Sequence, residues 1–420
     1  MVFQDFASAQ TVFLWATFAV ALIMGAVVNK TNFCTMGAVS DAVNMGDNSR
    51  MRAWFLAIAV AMLGVVILET AGLVNTSTSF PPYRGSELIW AENLLGGVLF
   101  GIGMTLASGC GNKTLIRIGG GNIKSIMVLL IIGLIAYYMV NPFPGSDQTL
   151  MSVLFYDWLR PTAISLSTSQ DLGSLVNDAD AANMRMYIGG AISLLLLIII
   201  FKSSEFRSSL DNVMGGLVVG LSVLAGWYIS GALISIEAEG EMLNLARYVE
   251  NWDMLVDSDA GKPAELRSLN TQSFTFINPM GQTYGYAMGG FASKYLTFGL
   301  MALFGVIAGS FLWSLVTRSF RIEWFASFGD FFNHLIGAVL MGFGGVLAVG
   351  CTIGQGITGV STLALGSIIT LFSIIFGSAI TMKVQLYKMM YEDASFMSAF
   401  VTGLVDMRLL PKGMRKLEGI

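Results

Sequence analysis

The sequence predicts an all-α polytopic membrane protein with about nine transmembrane helices and additional short, broken helices. Its 420 residues have a mean hydropathy of +0.69, and only 12% are charged, about half the charged fraction of a soluble globular protein. Several apolar runs approach the roughly 20 residues needed to cross a bilayer. A glycine-rich segment also occurs twice, 241 residues apart. Together these observations favour two pseudo-symmetric membrane halves over a soluble domain.

Seven apolar stretches are candidate membrane spans: 11–28, 52–74, 125–140, 183–201, 211–235, 295–317 and 366–382. The leader MVFQDFASAQ before the first stretch is acidic, whereas the start of a secretory signal is basic. We therefore expect the first stretch to remain as a helix. We expect nine crossings in all, with several shorter helices.

The placement of charges predicts the orientation of these helices. Lys and Arg gather in five clusters: Arg50/Arg52, Lys202/Arg207, Arg318/Arg321, Lys383/Lys388 and the tail from Arg408 to Lys416. Two polar insertions, 141–182 and 237–290, have an acidic excess instead. Because basic segments favour the cytoplasm, we expect both insertions outside, the N-terminus outside and the C-terminus in the cytoplasm.

An internal repeat relates LLGGVLFGIGMTLASGC, residues 94–110, to LIGAVLMGFGGVLAVGC, residues 335–351, with ten of 17 positions identical. A fainter similarity relates IMGAVV at 23–28 to VMGGLV at 213–218. The repeat predicts two half-repeats, 1–170 and 171–420. The charge signs place the two glycine-rich segments in opposite orientations, which is the inverted repeat common among transporters.

The three cysteines are Cys34, Cys110 and Cys351, and all lie within or beside apolar segments. The sequence has no CxxC motif and no cysteine in either polar insertion, which argues against disulfides and dithiol redox chemistry. A buried free cysteine often packs as a small hydrophobe. Two repeat-related cysteines, each directly after glycine at a predicted helix break, instead favour a functional role.

The segment SGCGNKT marks the first break, because Gly109, Gly111 and Asn112 are poor helix formers. Both glycines would allow an ion to approach the backbone closely. Lys113 and Arg117 are four residues apart and share a helix face. They either snorkel to the cytoplasmic interface or, with a helix N-terminus, attract an anion.

The second break reads GCTIGQGITGVST and contains no cation. Thr352 and Gln355 could hydrogen-bond to an anion without holding it as a fixed charge would, or they could bond to their own helix backbone. The glycine run at 119–122 lacks the pattern of a nucleotide-binding loop. The sequence therefore predicts no cofactor, no metal and no nucleic-acid partner.

The segments NKTNFCTMGAVSD, SGCGNKTLIRIGGGN and GCTIGQGITGVS resemble the three cysteine motifs of the YeeE/YedE family of bacterial inner-membrane proteins. This resemblance covers essentially the whole chain. It implies an hourglass fold of two pseudo-symmetric halves, thiosulfate uptake, and passage of the ion by S–H···S hydrogen bonds along Cys34, Cys110 and Cys351. It also implies a TusA-like sulfur-carrier protein as a cytoplasmic partner. The two insertions resemble those of the long branch, sometimes linked to selenium.

The main hypothesis is uptake of thiosulfate or a related anion. A thiol is a weak donor and a weak acceptor, which suits a path on which an ion must bind and then leave. One alternative is a membrane sulfurtransferase or thiol oxidoreductase with a persulfidated cysteine. Another is a structural subunit or receptor in which the cysteines only pack.

Overall fold

A computed structural model describes residues 1–238, 240–255, 262, 266 and 269–418. Part of the predicted insertion 237–290, including its acidic residues Glu239, Asp257 and Asp259, lies outside these described residues. Within the described ranges, nine segments are long and apolar enough to cross a membrane. They are Phe6–Met45, Ser49–Thr70, Trp90–Gly119, Ile123–Val140, Asp178–Phe201, Leu210–Leu233, Phe298–Val316, Phe328–Leu347 and Leu365–Met390. The prediction of an all-α polytopic membrane protein is therefore confirmed.

The helices are α1 (Phe6–Thr31), α2 (Thr35–Ser40), α3 (Ser49–Thr70), α4 (Trp90–Leu106), α5 (Gly111–Gly119), α6 (Ile123–Val140), α7 (Asp157–Leu159), α8 (Leu172–Val176), α9 (Ala181–Phe201), α10 (Ser204–Ser208), α11 (Leu210–Tyr228), α12 (Leu245–Glu250), α13 (Trp252–Leu255), α14 (Ile277–Met288), α15 (Phe298–Val316), α16 (Phe328–Leu347), α17 (Leu365–Met390) and α18 (Phe396–Asp406). The short strands are β1 (Val2–Phe3), β2 (Glu87–Leu88), β3 (Ile164–Ser165), β4 (Ser235–Ala238) and β5 (Glu241–Asn244).

The two ends of the chain lie on opposite faces of the helical bundle. The Met1 ammonium donates to the carbonyl of Leu233 at 2.7 Å, and β1 pairs with β4, so the first residues lie at the end of α11. We name this the N-face. Helix α18 packs at the end of α17, where the Tyr387 hydroxyl donates to Asp406 at 2.6 Å. That end is the C-face, and the five basic clusters lie on its side because the spans alternate in direction.

Helices α4 and α16, which contain the repeated sequence, pack antiparallel at the centre. A β-carbon on Gly96 would lie 2.7 Å from the Gly344 carbonyl oxygen, and one on Gly344 would lie 2.6 Å from the Gly96 carbonyl oxygen. Such backbone approach is open only to glycine. The neighbouring pairs are also reciprocal: α4 packs on α17 as α16 packs on α6, and α1 packs on α15 as α11 packs on α3.

Both repeated helices end in the same unusual conformation. Ser108 follows α4 with φ of 57°, and Val349 follows α16 with φ of 59°. These residues correspond under the 241-residue repeat. A left-handed residue ends each helix, and the chain restarts as α5 at Gly111 and as a helical turn at Thr352. Positive φ is strongly disfavoured for a β-branched residue such as Val349, so the surrounding packing enforces this break.

The two predicted insertions differ in the structure. Residues 141–182 lie on the N-face, where β3 pairs with β2. The last part of the insertion predicted over 237–290 packs into the core, where Phe274, Phe276 and Ile277 are buried. The apolar stretch of this re-entrant segment is far shorter than a membrane span. Hydropathy therefore could not distinguish it from a loop.

Candidate functional site

The three thiols lie inside the helical bundle. Cys34, Cys110 and Cys351 are 7%, 2% and 0% exposed, and all three are free. Cys34 precedes α2, Cys110 precedes α5, and Cys351 precedes the helical turn that starts at Thr352. Each sulfur therefore stands at the positive end of a helical segment, where free N–H groups favour electron-rich ligands.

Cys110 is the middle member of a row. Cys34 and Cys351 both lie near its thiol. Cys351 lies toward the N-face, because Ala348 packs on the early part of α4 at Gly96. Cys34 lies toward the C-face, at the end of α1. The row therefore crosses the bundle from one face toward the other.

The surroundings of Cys110 combine polar and apolar groups. The backbone N–H of Lys113 and the side chain of Thr352 both approach the thiol. Gly111 faces apolar atoms instead, since a β-carbon there would lie 3.4 Å from Ile277 and 3.5 Å from Met280. The open backbone expected at this glycine is therefore covered by the re-entrant helix α14.

Cys351 is held by the backbone of its own turn. The Gly354 N–H donates to its Sγ at 3.4 Å, and the Gln355 N–H donates to its carbonyl at 2.7 Å. The Gln355 amide group donates to the Ala348 carbonyl at 2.5 Å, so this side chain ties the turn to the end of α16. Two roles were open for Gln355: hydrogen bonding to an anion and bonding to its own backbone. The structure shows the backbone bond.

Cys34 is surrounded by charged groups of the C-face. A small crevice beside it is lined by Arg50 and Asp211. Arg50 forms a two-bond ion pair with the buried carboxylate of Asp41. The Lys113 ammonium donates to the Asn32 side chain, two residues before Cys34. Lys113 is therefore directed at the cysteine row rather than only toward the membrane interface.

Buried polar atoms without partners lie beside every thiol. Among the described residues, the Thr35 hydroxyl, the Asn112 side-chain oxygen and the Thr352 hydroxyl make no hydrogen bond that meets distance and angle criteria. Each stands one or two residues after a cysteine. An unsatisfied buried polar atom costs about 1–3 kcal/mol, and a group of them indicates a place where a ligand or water is bound.

A cavity of about 360 Å³ leads inward from the N-face. Val349 and Gln355, on either side of Cys351 in sequence, lie at its inner end. Tyr83 also lines it and lies near Cys351. We name this cavity the N-face vestibule. Its inner end lies beside the residues that flank Cys351 in the chain.

The structure brings together most of the residues predicted from the sequence. Cys34, Cys110, Cys351, Lys113 and Thr352 form one continuous set. Asn112 and Gly109 lie beside them in the chain, and the stem of Lys113 covers Gly109, whose β-carbon would lie 3.1 Å from the lysine Cβ. Arg117 is half-buried one turn further along α5, near Lys113.

Sequence reasoning missed Tyr83 and Arg50 as parts of the site. Tyr83 lies in the loop between α3 and α4 and reaches Cys351 only through the fold. The sequence places Arg50 only in a basic cluster that is expected in the cytoplasm. Asp41, seven residues after Cys34 and nine before Arg50, was the one sequence signal that could have indicated this ion pair.

Comparison with known proteins gives consistent matches. A sequence profile described as "Sulphur transport" matches residues 30–380, a range that includes all three cysteines. A protein of Escherichia coli named thiosulfate transporter TsuA is 23% identical over 359 residues, which cover 80% of this chain and 84% of the relative. A protein of Spirochaeta thermophila with the same name is 23% identical over 361 residues, 84% of this chain and 93% of the relative.

Proposed function

This chain belongs to the sulphur transport family, as its resemblance to the YeeE/YedE proteins implied, and we propose that it moves thiosulfate or a closely related sulfur-containing anion across the membrane. Selenium analogues belong to the same chemical class. The row of three buried free thiols supports this proposal most directly. The names of the two relatives described above agree with thiosulfate as the substrate.

The path starts in the N-face vestibule, passes Cys351 and Cys110, and ends at Cys34. A neutral thiol donates a weak hydrogen bond and accepts one through a polarizable sulfur. The terminal sulfur of thiosulfate can therefore be held at each position without a deep energy minimum, as rapid passage requires. The unpartnered hydroxyls and amide beside the thiols supply further hydrogen bonds that replace the water of the ion.

The charge distribution supports an orientation for uptake. The basic clusters on the C-face favour the cytoplasm, and the acidic insertion 141–182 on the opposite face then lies outside a bacterial inner membrane. The N-terminus would be outside and the C-terminus in the cytoplasm. The reciprocal helix contacts support the assignment of 1–170 and 171–420 as inverted halves around a central site.

Delivery at the C-face completes the proposed function. Lys113 and Arg50 lie beside Cys34 at this end and attract an anion out of the thiol row. A TusA-like sulfur-carrier protein would receive sulfur there, as the family resemblance implies. Co-purification of such a carrier with the wild type, reduced by charge reversal at the exposed residues Lys202 and Arg207, would test this step.

Uptake of radiolabelled thiosulfate by cells lacking their own importers tests the proposal. The wild type should take up thiosulfate, and sulfite, sulfate and selenite offered separately should define its selectivity. Cys110→Ser and Cys351→Ser should reduce uptake partially, because serine still donates a hydrogen bond, and the alanine variants should reduce it further. Transport of sulfate alone, or full uptake by the double alanine variant, would contradict the proposal.

Mass spectrometry of the cysteines separates transport from sulfur transfer. A sulfurtransferase needs a sulfur atom covalently attached to one cysteine, and serine cannot carry a persulfide. Mass spectrometry of the wild type during turnover should therefore show three unmodified thiols. A persulfide on Cys110 that forms and disappears with turnover would favour the enzyme instead.

A further inference from the structure

We infer that the N-face vestibule is itself a binding site for an oxyanion, in which Arg160 of the 141–182 insertion and the Tyr83 hydroxyl hold the ion before it reaches the thiols. This inference rests on the proposed function and adds a residue pair outside the cysteine row. It also gives the insertion a specific role: it supplies one wall of a binding site.

The insertion forms the outer wall of the vestibule. Met151, Tyr156 and Arg160 all line the cavity. The Arg160 guanidinium lies 5.9 Å from the centre of the Tyr156 ring, which restricts its motion over the cavity. Its side chain is 43% exposed and makes one long ion pair, 3.5 Å, with Glu92. Most of its donors therefore remain open to an incoming anion.

Tyr83 supplies a second donor deeper in the cavity. Its side chain is buried, and its hydroxyl has no hydrogen-bond partner within the described part of the chain. Burial, with the nearby Cys351, raises the pKa of Tyr83 well above its ordinary range. The hydroxyl is therefore a neutral donor at every physiological pH. It lies between the solvent-facing arginine and the first thiol.

Two helix N-termini add to the favourable potential for an anion. The cavity wall includes Asn93 from the first turn of α4, and Gly366 and Ser367 from the first turn of α17. The partial positive charges at the starts of these two helices point toward the vestibule. The Asn93 side-chain oxygen has no partner among the described residues. Rotation of this amide by 180° would present its NH2 group to an anion without changing its shape.

The Glu92 carboxylate repels an anion and so limits the affinity of the vestibule for it. Its carboxylate is buried in the vestibule wall, and Arg160 is its salt-bridge partner in the structure. An anion must share the guanidinium with this carboxylate. Glu87 also lines the cavity, but its carboxylate accepts a hydrogen bond from Ser165 at 2.7 Å. Removing the Glu92 charge should therefore strengthen anion binding, whereas removing the Arg160 charge should weaken it.

Initial rates of thiosulfate uptake in proteoliposomes test these opposite effects. Loss of a charge-assisted hydrogen bond predicts a KM about tenfold higher for Arg160→Gln. Arg160→Lys should retain most of the affinity, Tyr83→Phe should raise KM by about threefold, and Glu92→Gln should lower KM. Arg247→Gln is the matched control, because Arg247 is an exposed arginine of the same face that lines a different cavity. Its KM should equal that of the wild type.

Equilibrium binding of radiolabelled thiosulfate to the detergent-purified protein should show the same order of affinities, with weaker binding at high ionic strength. Wild-type uptake with equal KM values for Arg160→Gln, Glu92→Gln and Arg247→Gln would overturn the inference and leave the proposed function intact. A wild type without thiosulfate uptake would overturn the proposed function first. Unchanged thermal unfolding of each variant confirms that a KM shift does not reflect misfolding.

Discussion

A β-carbon placed on Gly103 would lie 2.6 Å from the carbonyl oxygen of Gly337, and one placed on Gly337 would lie 2.6 Å from the carbonyl oxygen of Gly103. The repeat equates Gly103 with Gly344 and Gly337 with Gly96, which form the second reciprocal pair. The same contact therefore occurs twice about one axis, as in an isologous interface. The two glycine-rich helices approach at backbone distance next to the cysteines that they position.

Gly103→Ala should destabilise the protein. Alanine is favoured over glycine in a helix by about 1 kcal/mol, but its methyl group would force the two helices apart, at a cost of about 1–3 kcal/mol. We expect a lower thermal unfolding temperature in detergent and lower uptake. Gly190→Ala is the control, because a β-carbon there meets nothing within 4 Å among the described residues. Equal unfolding temperatures for both variants would contradict the close contact.

Thr352→Val should lower uptake without lowering the stability of the protein. The Thr352 hydroxyl is buried beside Cys110 and has no partner that meets hydrogen-bond criteria in the described chain. Valine has nearly the same shape, so the free energy of unfolding should stay equal or rise by about 1 kcal/mol. Uptake should fall, because the proposed path loses a hydrogen-bond donor beside Cys110. A variant with full uptake would remove Thr352 from the path.

Thr358→Val is the matched control for that variant. The Thr358 hydroxyl is equally buried, but it donates to the Phe274 carbonyl at 2.7 Å. Its loss leaves a buried acceptor unpaired and should cost about 1–3 kcal/mol. Thr352→Val should therefore lower uptake at unchanged stability, whereas Thr358→Val should lower the free energy of unfolding.

The spans and the central helices could be predicted from the sequence because their signals are local. Hydropathy identifies apolar segments of membrane length, and the repeated Gly-Cys endings at Cys110 and Cys351 indicate the two breaks. The left-handed residues Ser108 and Val349 lie at those breaks. Neither serine nor valine favours the left-handed conformation. The positions of these two helix breaks could therefore be predicted only from the repeat.

The rest of the site depends on contacts between distant segments. The re-entrant segment around Phe276 and Ile277 contains too few apolar residues to be recognised as a membrane element. Tyr83 reaches Cys351 across 268 residues of sequence. No periodicity in one sequence encodes such a contact, because it arises from the packing of loops onto helices. The thiols, Lys113 and Thr352 could be predicted, but Tyr83 and Arg50 could not.

Lys113→Gln should slow uptake if its charge draws the anion along the path. The ammonium donates to Asn32 beside Cys34, and a nearby cation favours an anion in a low-dielectric site. We expect uptake to fall about fivefold or more, which corresponds to about 1 kcal/mol. Lys412→Gln, at an exposed lysine of the same face, should leave uptake unchanged. Equal uptake by both variants would instead support simple snorkelling of Lys113 to the interface.

Asp171 should make the N-face sensitive to acid. Arg185 donates to its carboxylate at 2.8 and 3.0 Å, and the N–H of Leu172 bonds to Leu363 at the end of the second broken segment. Burial raises the pKa of this carboxyl, but hydrogen bonds from Arg185 and Ser169 outweigh it, so the pKa lies well below its ordinary range. The ionised form is thus more stable in the folded protein than in the unfolded chain.

The stability that Asp171 contributes should therefore be fully present above the unfolded pKa of about 4 and should be lost as the pH falls toward the lower folded value. Asp171→Asn should cost about 3 kcal/mol at pH 7, because Arg185 loses its buried partner, and should reduce the further loss of stability below pH 4. Thermal unfolding in detergent between pH 7 and pH 3 measures both effects. Asp147→Asn, at an exposed site in the same insertion, should behave as the wild type. If Asp171→Asn kept the wild-type acid dependence, another carboxylate would control the stability of this face.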